Sequence, residues 1–246
     1  MGPVILGKNG VYYKLMSDQD LIGRYIAQQG EYEPELQQIA TYILKNKTGW
    51  VLDIGANIGA FALPLAKLNS HMKVMCFEAQ KAVFKNLREG VQMNPLTHQI
   101  KLVHCGLSDK NGSVRMSVPD YAQEGNVGAF SLDAEVRAND YEVQTQGGTE
   151  LFMLYPLDRF AVDQVALIKM DVEGMELQVL QGAVKTLQRN HYPPIIFEAW
   201  TWKAFYQKRR EEILQFLQEM GYVVTAFGQN NLAQHASHKD HVQIVQ

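Results

Sequence analysis

A chain of 246 residues, 46% hydrophobic and 20% charged, can bury a sizeable core, which excludes disorder, collagen and coiled coil for the chain as a whole. Its 23 basic and 26 acidic residues leave a net charge of −3 and no electrostatic reason to expect a nucleic-acid partner. Two cysteines, Cys76 and Cys105, are too few for a disulfide framework.

The first residues carry too short an apolar stretch for a signal peptide, and Leu6 stands where a myristoylation site needs Ser or Thr. No run approaches the roughly 18 apolar residues of a membrane span. The sequons at Asn46 and Asn111 read as chance, so the expectation is a soluble, cytoplasmic protein with no membrane partner. A helical opening is predicted: Ser17 with Asp20 has capping-box spacing, and Leu21, Ile22, Tyr25 and Ile26 form one apolar stripe. A second helix starts near Pro34, carries Leu36, Ile39, Ala40, Ile43 and Leu44, and is stopped by Gly49.

From Trp50 short apolar runs alternate with helical patterns. Strands are predicted at 50–54, 73–77, 100–104, 165–170, 195–197 and 222–227, and helices at 61–68, 82–93, 176–187 and 205–220. This alternation predicts an α/β fold with a mostly parallel sheet covered on both faces. The last apolar run, Val242 to Val245, is expected to pair back on the Tyr222 run as an antiparallel hairpin at the sheet edge. Asn111 to Glu150, rich in Gly, Asn, Asp and Gln, is too long for an ordinary connection and reads as an insertion, with Gly125-Asn126-Val127-Gly128 as a lid turn. No linker divides the chain, so one domain over 1–246 is expected: a helical cap over 1–49 and a core over 50–246.

Asp53-Ile54-Gly55-Ala56-Asn57-Ile58-Gly59 follows the first buried strand and opens a helix. Gly55 and Gly59 allow a tight turn and close approach to a ligand, and the helix start offers unpaired N–H groups. A dinucleotide loop would need glycine where Asn57 stands, and Asp53 would place negative charge near phosphates. A ligand carrying positive charge, an ammonium or a sulfonium, suits that carboxylate better. Glu78 ends the second strand, where it can accept hydrogen bonds from both ribose hydroxyls, and Cys105-Gly106-Leu107-Ser108-Asp109 follows the third strand, placed to enclose an adenine.

These features together resemble a class I S-adenosylmethionine-dependent methyltransferase. Ile168-Lys169-Met170-Asp171-Val172-Glu173-Gly174-Met175-Glu176, then Val179-Leu180-Gln181-Gly182-Ala183 and Phe197-Glu198, resemble the signature of the FkbM family of such enzymes over roughly Trp50 to Trp200. The resemblance implies a seven-stranded Rossmann-like sheet, S-adenosylmethionine as cofactor and, as small-molecule acceptor, a hydroxyl on a sugar or secondary metabolite. Candidate cofactor contacts are Asp53, Gly55, Ala56, Asn57, Gly59, Glu78, Ala79, Gly106, Leu107, Ser108, Asp109 and Asp171.

Methyl transfer to a hydroxyl needs a nucleophile held about 3 Å from the methyl carbon and a group to take its proton. Asp171, ending the fourth strand, is the expected general base or acceptor-orienting group, Glu198 at the end of the fifth a second acceptor-binding carboxylate, and Lys169 can share a face with Asp171, as part of a catalytic cluster or as a neutraliser of buried carboxylates. Glu173 reads as a helix cap, Glu176 as facing either cleft or solvent, and Trp200 and Trp202 as core cover or an aromatic wall. Arg209 and Arg210 read as a solvated helix face, and His235, His238 and His241 do not keep one face of a strand, so no metal is expected. The insertion and the opening helices are expected to cover the acceptor side. Nitrogen or carboxyl methylation, a non-catalytic module binding S-adenosylmethionine and acting through protein partners, and a nicotinamide oxidoreductase are the competing readings.

Overall fold

The apolar runs fold as strands of one large sheet, and the stretches between them as helices on its faces. The computed structural model describes residues 2–121, 130–139, 145–239 and 241–244. The chain opens with a hairpin, β1 (Val4–Leu6) against β2 (Tyr12–Lys14), which helical patterning misses. Its signal is Asn9-Gly10, a turn dipeptide with Gly10 at φ 72°. Tyr13 is buried, and Tyr12 exchanges backbone hydrogen bonds with the Asn94 side chain at 2.9 and 2.7 Å.

Helix α1 (Leu21–Gln29) is capped by Asp20, not Ser17: Asp20 Oδ2 accepts the Gly23 N–H at 3.0 Å. Ile22 and Ile26 face the core, while Tyr25 stays exposed. Helix α2 (Pro34–Ile43) starts at its proline but stops well short of Gly49. Gly49 instead opens β3 (Gly49–Ile54) at φ 116°, where a Cβ would stand 2.1 Å from the Gln164 carbonyl oxygen.

Then follow α3 (Ala62–Leu68), β4 (Met72–Glu78), α4 (Lys81–Met93), β5 (Ile100–His104), β6 (Gly106–Leu107), β7 (Gly112–Pro119), α5 (Ala134–Asn139) and β8 (Thr145–Tyr155). After a 3-10 turn come β9 (Val165–Met170), α6 (Glu176–Gln181), α7 (Val184–Arg189), β10 (Ile195–Glu198), α8 (Ala204–Glu219), β11 (Tyr222–Phe227) and β12 (Asn230–His235). The helix predicted over 176–187 is two helices, broken at Gly182. A Cβ there would lie 2.0 Å from the Ser108 carbonyl oxygen, so this glycine lets the segment pack directly on the turn after β6.

The seven-stranded sheet has the order β11-β12-β10-β9-β3-β4-β5, parallel except for β12. The hairpin partner of β11 is therefore Asn230–His235, not 242–245, and it inserts one place in from the edge. Its polar side chains hide it from hydropathy: Asn231 and Gln234 are buried, and Gln234 is tied to the backbone of Val242 by two hydrogen bonds. Val242 and Ile244 pack on the core without forming a strand, and Val245 lies outside the described residues. A second sheet, β6-β8-β7, gives the insertion regular structure that its composition did not suggest; Gly125 to Gly128 lie outside the described residues.

Strand alternation sorts the core into two layers. Val51, Val74, Cys76, Leu167 and Ile196 face α1 to α4, and Leu52, Ile54, Phe77, Met170 and Phe197 face α6 to α8. Between β3 and β9 the chain order reverses, which opens a crevice beyond their carboxyl ends.

Candidate active site

The floor of that crevice is a charge cluster set by register. Asp53 and Lys169 are direct partners on neighbouring strands, and Asp171 is the next residue of β9's path on the same face. Lys169 Nζ lies 3.6 Å from Asp53 Oδ1, 3.5 Å from Asp171 Oδ2 and 3.3 Å from the Gly55 carbonyl oxygen. Asp53 is 0% exposed and lies beneath the cleft, not on its surface. Burial raises its pKa, opposed by the Lys169 charge. Burial alone would lower the Lys169 pKa, but Asp171 and Asp53 outweigh it and keep the ammonium charged. Removing either end would strand a buried charge.

Above this floor the Gly55 turn and the turn after β9 touch. Gly55, at φ 79°, would place a Cβ 1.8 Å from the Asp171 carbonyl oxygen, and the Asp171 N–H donates to the Ile54 carbonyl at 3.0 Å. Glu78 closes the next side: its Oε2 accepts the Asn57 N–H at 3.0 Å and its Oε1 the Gln80 N–H at 2.8 Å. Burial pushes the Glu78 pKa up to about 7 against those donors. A cleft lies over this frame. Of the sequence candidates it takes Gly55, Asn57, Glu78, Ala79, Gly106, Leu107 and Asp171.

Ala56, Gly59, Ser108 and Asp109 are absent from that lining. The Ala56 N–H is spent on the Phe77 carbonyl, Gly59 packs on Leu63 and Leu87, and Ser108 is buried with its hydroxyl on Asp109. The sequence reading missed Gln80, Phe130, Leu132 and Glu173. Gln80 lies two residues after Glu78 and was within reach of the motif; Phe130 and Leu132 come from the insertion, where no local pattern marks them.

Neither Glu173 nor Glu176 caps α6, whose start carries no side-chain cap. Glu176 is buried, and its Oε1 accepts the N–H groups of Val172 at 3.1 Å and Gly174 at 3.3 Å, so it ties down the turn that precedes the helix. Glu173, at φ 55°, faces the cleft with Oε2 buried and unpartnered. Burial, then the neighbouring Asp171 and Glu198, raise its pKa strongly.

Asn57, Asp171 and Glu173 also line a second, larger chamber. Tyr32, Glu33, Glu198, Trp200, Trp202 and Asn230 line it, with Asn230 paired to Glu198 in the sheet and donating to Glu33 Oε1 at 3.4 Å. Trp200 and Trp202 stack at 5.1 Å and 21°, with Trp202 still 56% exposed, so the pair is a wall and not core cover. Glu198 is pushed up to about 8 by burial and then by Asp171 and Glu176. Three non-glycine residues of this chamber, Glu33, Asn57 and Glu173, hold left-handed backbone at φ 46°, 49° and 55°, strain that clusters at working sites. The start of α1 and the Tyr32–Glu33 turn border this chamber, and the described part of the insertion stands over the first cleft.

Arg210 lines the chamber and Arg209 is mostly buried, so neither is a simple solvated face. His235 stacks on Tyr192, and His238 and His241 bind backbone carbonyls of His191 and His235.

The model of the methyltransferase FkbM domain matches residues 53–224, more than half of the chain. Methyltransferase sdnD of Sordaria araneosa is 25% identical over 209 residues, 72% of this chain and 74% of that protein. The 2-O-methyltransferase NoeI of Sinorhizobium fredii is 26% identical over 151 residues, 58% of this chain and 60% of that protein. The crystal structure of methyltransferase FkbM from Methylobacillus flagellatus superposes with a TM-score of 0.52 at 18% identity, covering 76% of this chain and 44% of that one. The chain therefore spans less than two thirds of NoeI and under half of that crystallised protein.

Proposed function

Since this chain belongs to the FkbM family of methyltransferases, we propose that it transfers a methyl group from S-adenosylmethionine to a hydroxyl of a small acceptor, a sugar or a secondary metabolite. The observation that carries this reading is that two cavities, one framed by Glu78 and the glycine turn and one by carboxylates and tryptophans, meet at Asp171. A cofactor in one and an acceptor in the other would react across that junction.

The residues present fit S-adenosylmethionine. Glu78 is a buried carboxylate with lone pairs left for a ribose diol, Phe130, Leu132 and Leu107 offer an apolar bed for a base, and Glu173 presents an unpartnered buried oxygen for positive charge. Bound there, the cofactor would supply a methyl carbon activated by its sulfonium. Asp53 acts from below, holding Lys169, and does not touch the ligand in this reading.

Asp171 has one oxygen held towards Lys169 while Oδ1 is without a protein partner, ready to take the acceptor's proton. Glu198, with its pKa near 8, keeps a proton at neutral pH and donates a hydrogen bond to the acceptor instead of competing for its proton. Tyr32 and the Trp200–Trp202 stack support an acceptor with a flat, less polar face. Similarity to a 2-O-methyltransferase over part of its length supports a hydroxyl over an amine or a carboxylate. The buried thiols of Cys76 and Cys105 support a reducing, cytoplasmic setting, and the core shared by 1–49 and the main sheet supports one methyltransferase domain.

Calorimetric titration tests the first half: S-adenosylhomocysteine binds and NAD does not. Methyl-labelled cofactor offered with a panel of hydroxylated sugars and metabolites tests the second. Label appearing on amines or carboxylates alone would overturn the hydroxyl assignment, and heat from NAD alone would overturn the cofactor.

A further inference from the structure

We propose that Arg209 is a positioning residue that fastens the roof of the strand-end cleft to the Glu173–Gly174 turn, so that one guanidinium governs both the grip on the nucleoside ligand and the wall between the two cavities. The ligand's identity rests on the function proposed above.

Arg209 reaches inward from α8 with its side chain 17% exposed. Its Nη2 donates to Asp133 Oδ2 at 2.7 Å and to the Gly174 carbonyl oxygen at 2.7 Å, and Nη1 reaches Glu135 Oε2 at 3.4 Å. Both ends of this bridge adjoin the site. Asp133 directly follows Leu132 and lies three residues after Phe130, the two insertion side chains over the cleft, and Gly174 directly follows Glu173.

Asp133 also caps α5 through the N–H groups of Glu135 at 2.8 Å and Val136 at 3.0 Å, and receives Gln178 Nε2 at 2.9 Å. Burial would raise its pKa, but the Val136 N–H and the Arg209 side chain outweigh burial and hold it below the usual carboxylate range, so the pair stays charged across the working pH range. Val136 in turn sits on Gly174, where an added Cβ would lie 2.6 Å from Val136 Cγ2. Hydrogen bonds tie residues 130–139 to Gln178 on α6, to Lys203 just before α8 and to Arg209 on α8. Only Arg209 among these also holds the Glu173–Gly174 turn. A lysine could not serve a carboxylate and a carbonyl from one planar fork.

The test uses the full chain with Arg209→Met, Arg209→Lys, Asp133→Asn and the Met/Asn double variant. Asp133→Asn keeps an oxygen for the α5 cap and removes the charge. S-adenosylhomocysteine affinity and release rate are read by calorimetry and stopped flow, alongside amide hydrogen exchange of the ligand-free protein. Arg209→Met is expected to weaken binding about tenfold through faster release, Arg209→Lys to recover only part of it, and the double variant to be no worse than Arg209→Met. Protection of 130–139 and 172–178 should fall together while the strands of the large sheet keep theirs. Binding within twofold of wild type in both Arg209→Met and Asp133→Asn, or losses that simply add in the double variant, overturns the proposal. If wild type itself binds no S-adenosylhomocysteine, the cofactor reading fails and exchange decides alone: unchanged protection in either segment then overturns the tie.

Discussion

The strand-end cleft takes its polar frame from two turns, at 55–57 and 78–80, which are neighbours because β3 and β4 are neighbours. The second chamber gathers Tyr32, Asp171, Glu198 with Trp202, and Asn230 from four separated stretches. Apart from Asp171 and Glu173, which both cavities share, the polar frame of the first is backbone groups with one carboxylate, Glu78; that of the second is made of side chains. Backbone geometry tolerates little change, whereas side chains can be exchanged one by one, so the second chamber is where acceptor preference can vary without disturbing the first.

Asp171 belongs to both cavities and should separate them most sharply. Asp171→Asn is expected to cut turnover by roughly 100-fold or more while S-adenosylhomocysteine affinity changes less than threefold. Normal turnover with an identified acceptor would remove the base from the scheme. Gly55→Ala should damage both cavities at once, since its methyl would collide with the Asp171 carbonyl on a backbone at φ 79°. A stability loss of about 2 kcal/mol or more, read from the denaturant midpoint, is expected.

Glu78→Gln acts on the first cavity alone. Affinity for S-adenosylhomocysteine should drop about tenfold or more, because an amide accepts the ribose hydroxyls weakly and would set its own NH₂ against the Asn57 or Gln80 N–H. Trp202→Ala is its counterpart. With half of the ring already in solvent, it should raise the acceptor KM several-fold and leave melting temperature and cofactor affinity nearly unchanged.

The smallest effect expected is an opposition in pH dependence. Glu78 and Glu176 are raised from 4.5 to about 7, and Glu198 to about 8, burial being the main cause in each. Such groups hold their proton more tightly when folded, so their contribution to stability is complete below about 4.5 and is lost as pH rises through 7 to 8. Ribose binding instead needs Glu78 ionised. Between pH 6 and 8.5 the ligand-free melting temperature should fall by a few degrees while S-adenosylhomocysteine affinity rises; parallel trends would contradict the assignment of Glu78.

The contrast between the cavities also explains what could be read from the residues. Strands such as Val165–Met170 announce themselves by composition, and Asp53 to Gly59, Glu78 and Asp171 by their place at strand ends. Asp53 looked like a ligand contact because type and position were visible while depth was not: register with Lys169 put it under the floor. Glu173 and Glu176 could not be told apart, since which carboxylate folds back onto the turn after β9 depends on left-handed backbone at Glu173 and Gly174. Phe130, Leu132 and Arg209 were invisible because their partners are remote in the chain, Phe152 for Phe130 and Asp133 and Gly174 for Arg209. Asn230–His235 escaped because its burial is sustained by hydrogen-bonded amides, not by hydropathy.

That polar strand also orders events during synthesis. β12 is flanked by β10 and β11, both of which leave the ribosome earlier, so until residues 230–235 have been made each presents a bare edge able to recruit a foreign strand. Glu198 pairs with Asn230 at the end of that ladder. A nascent chain can thus hold a finished β3–β4–β5 half while its other half stays open, and premature termination just upstream of 230 would yield an aggregation-prone fragment, not a weakened enzyme.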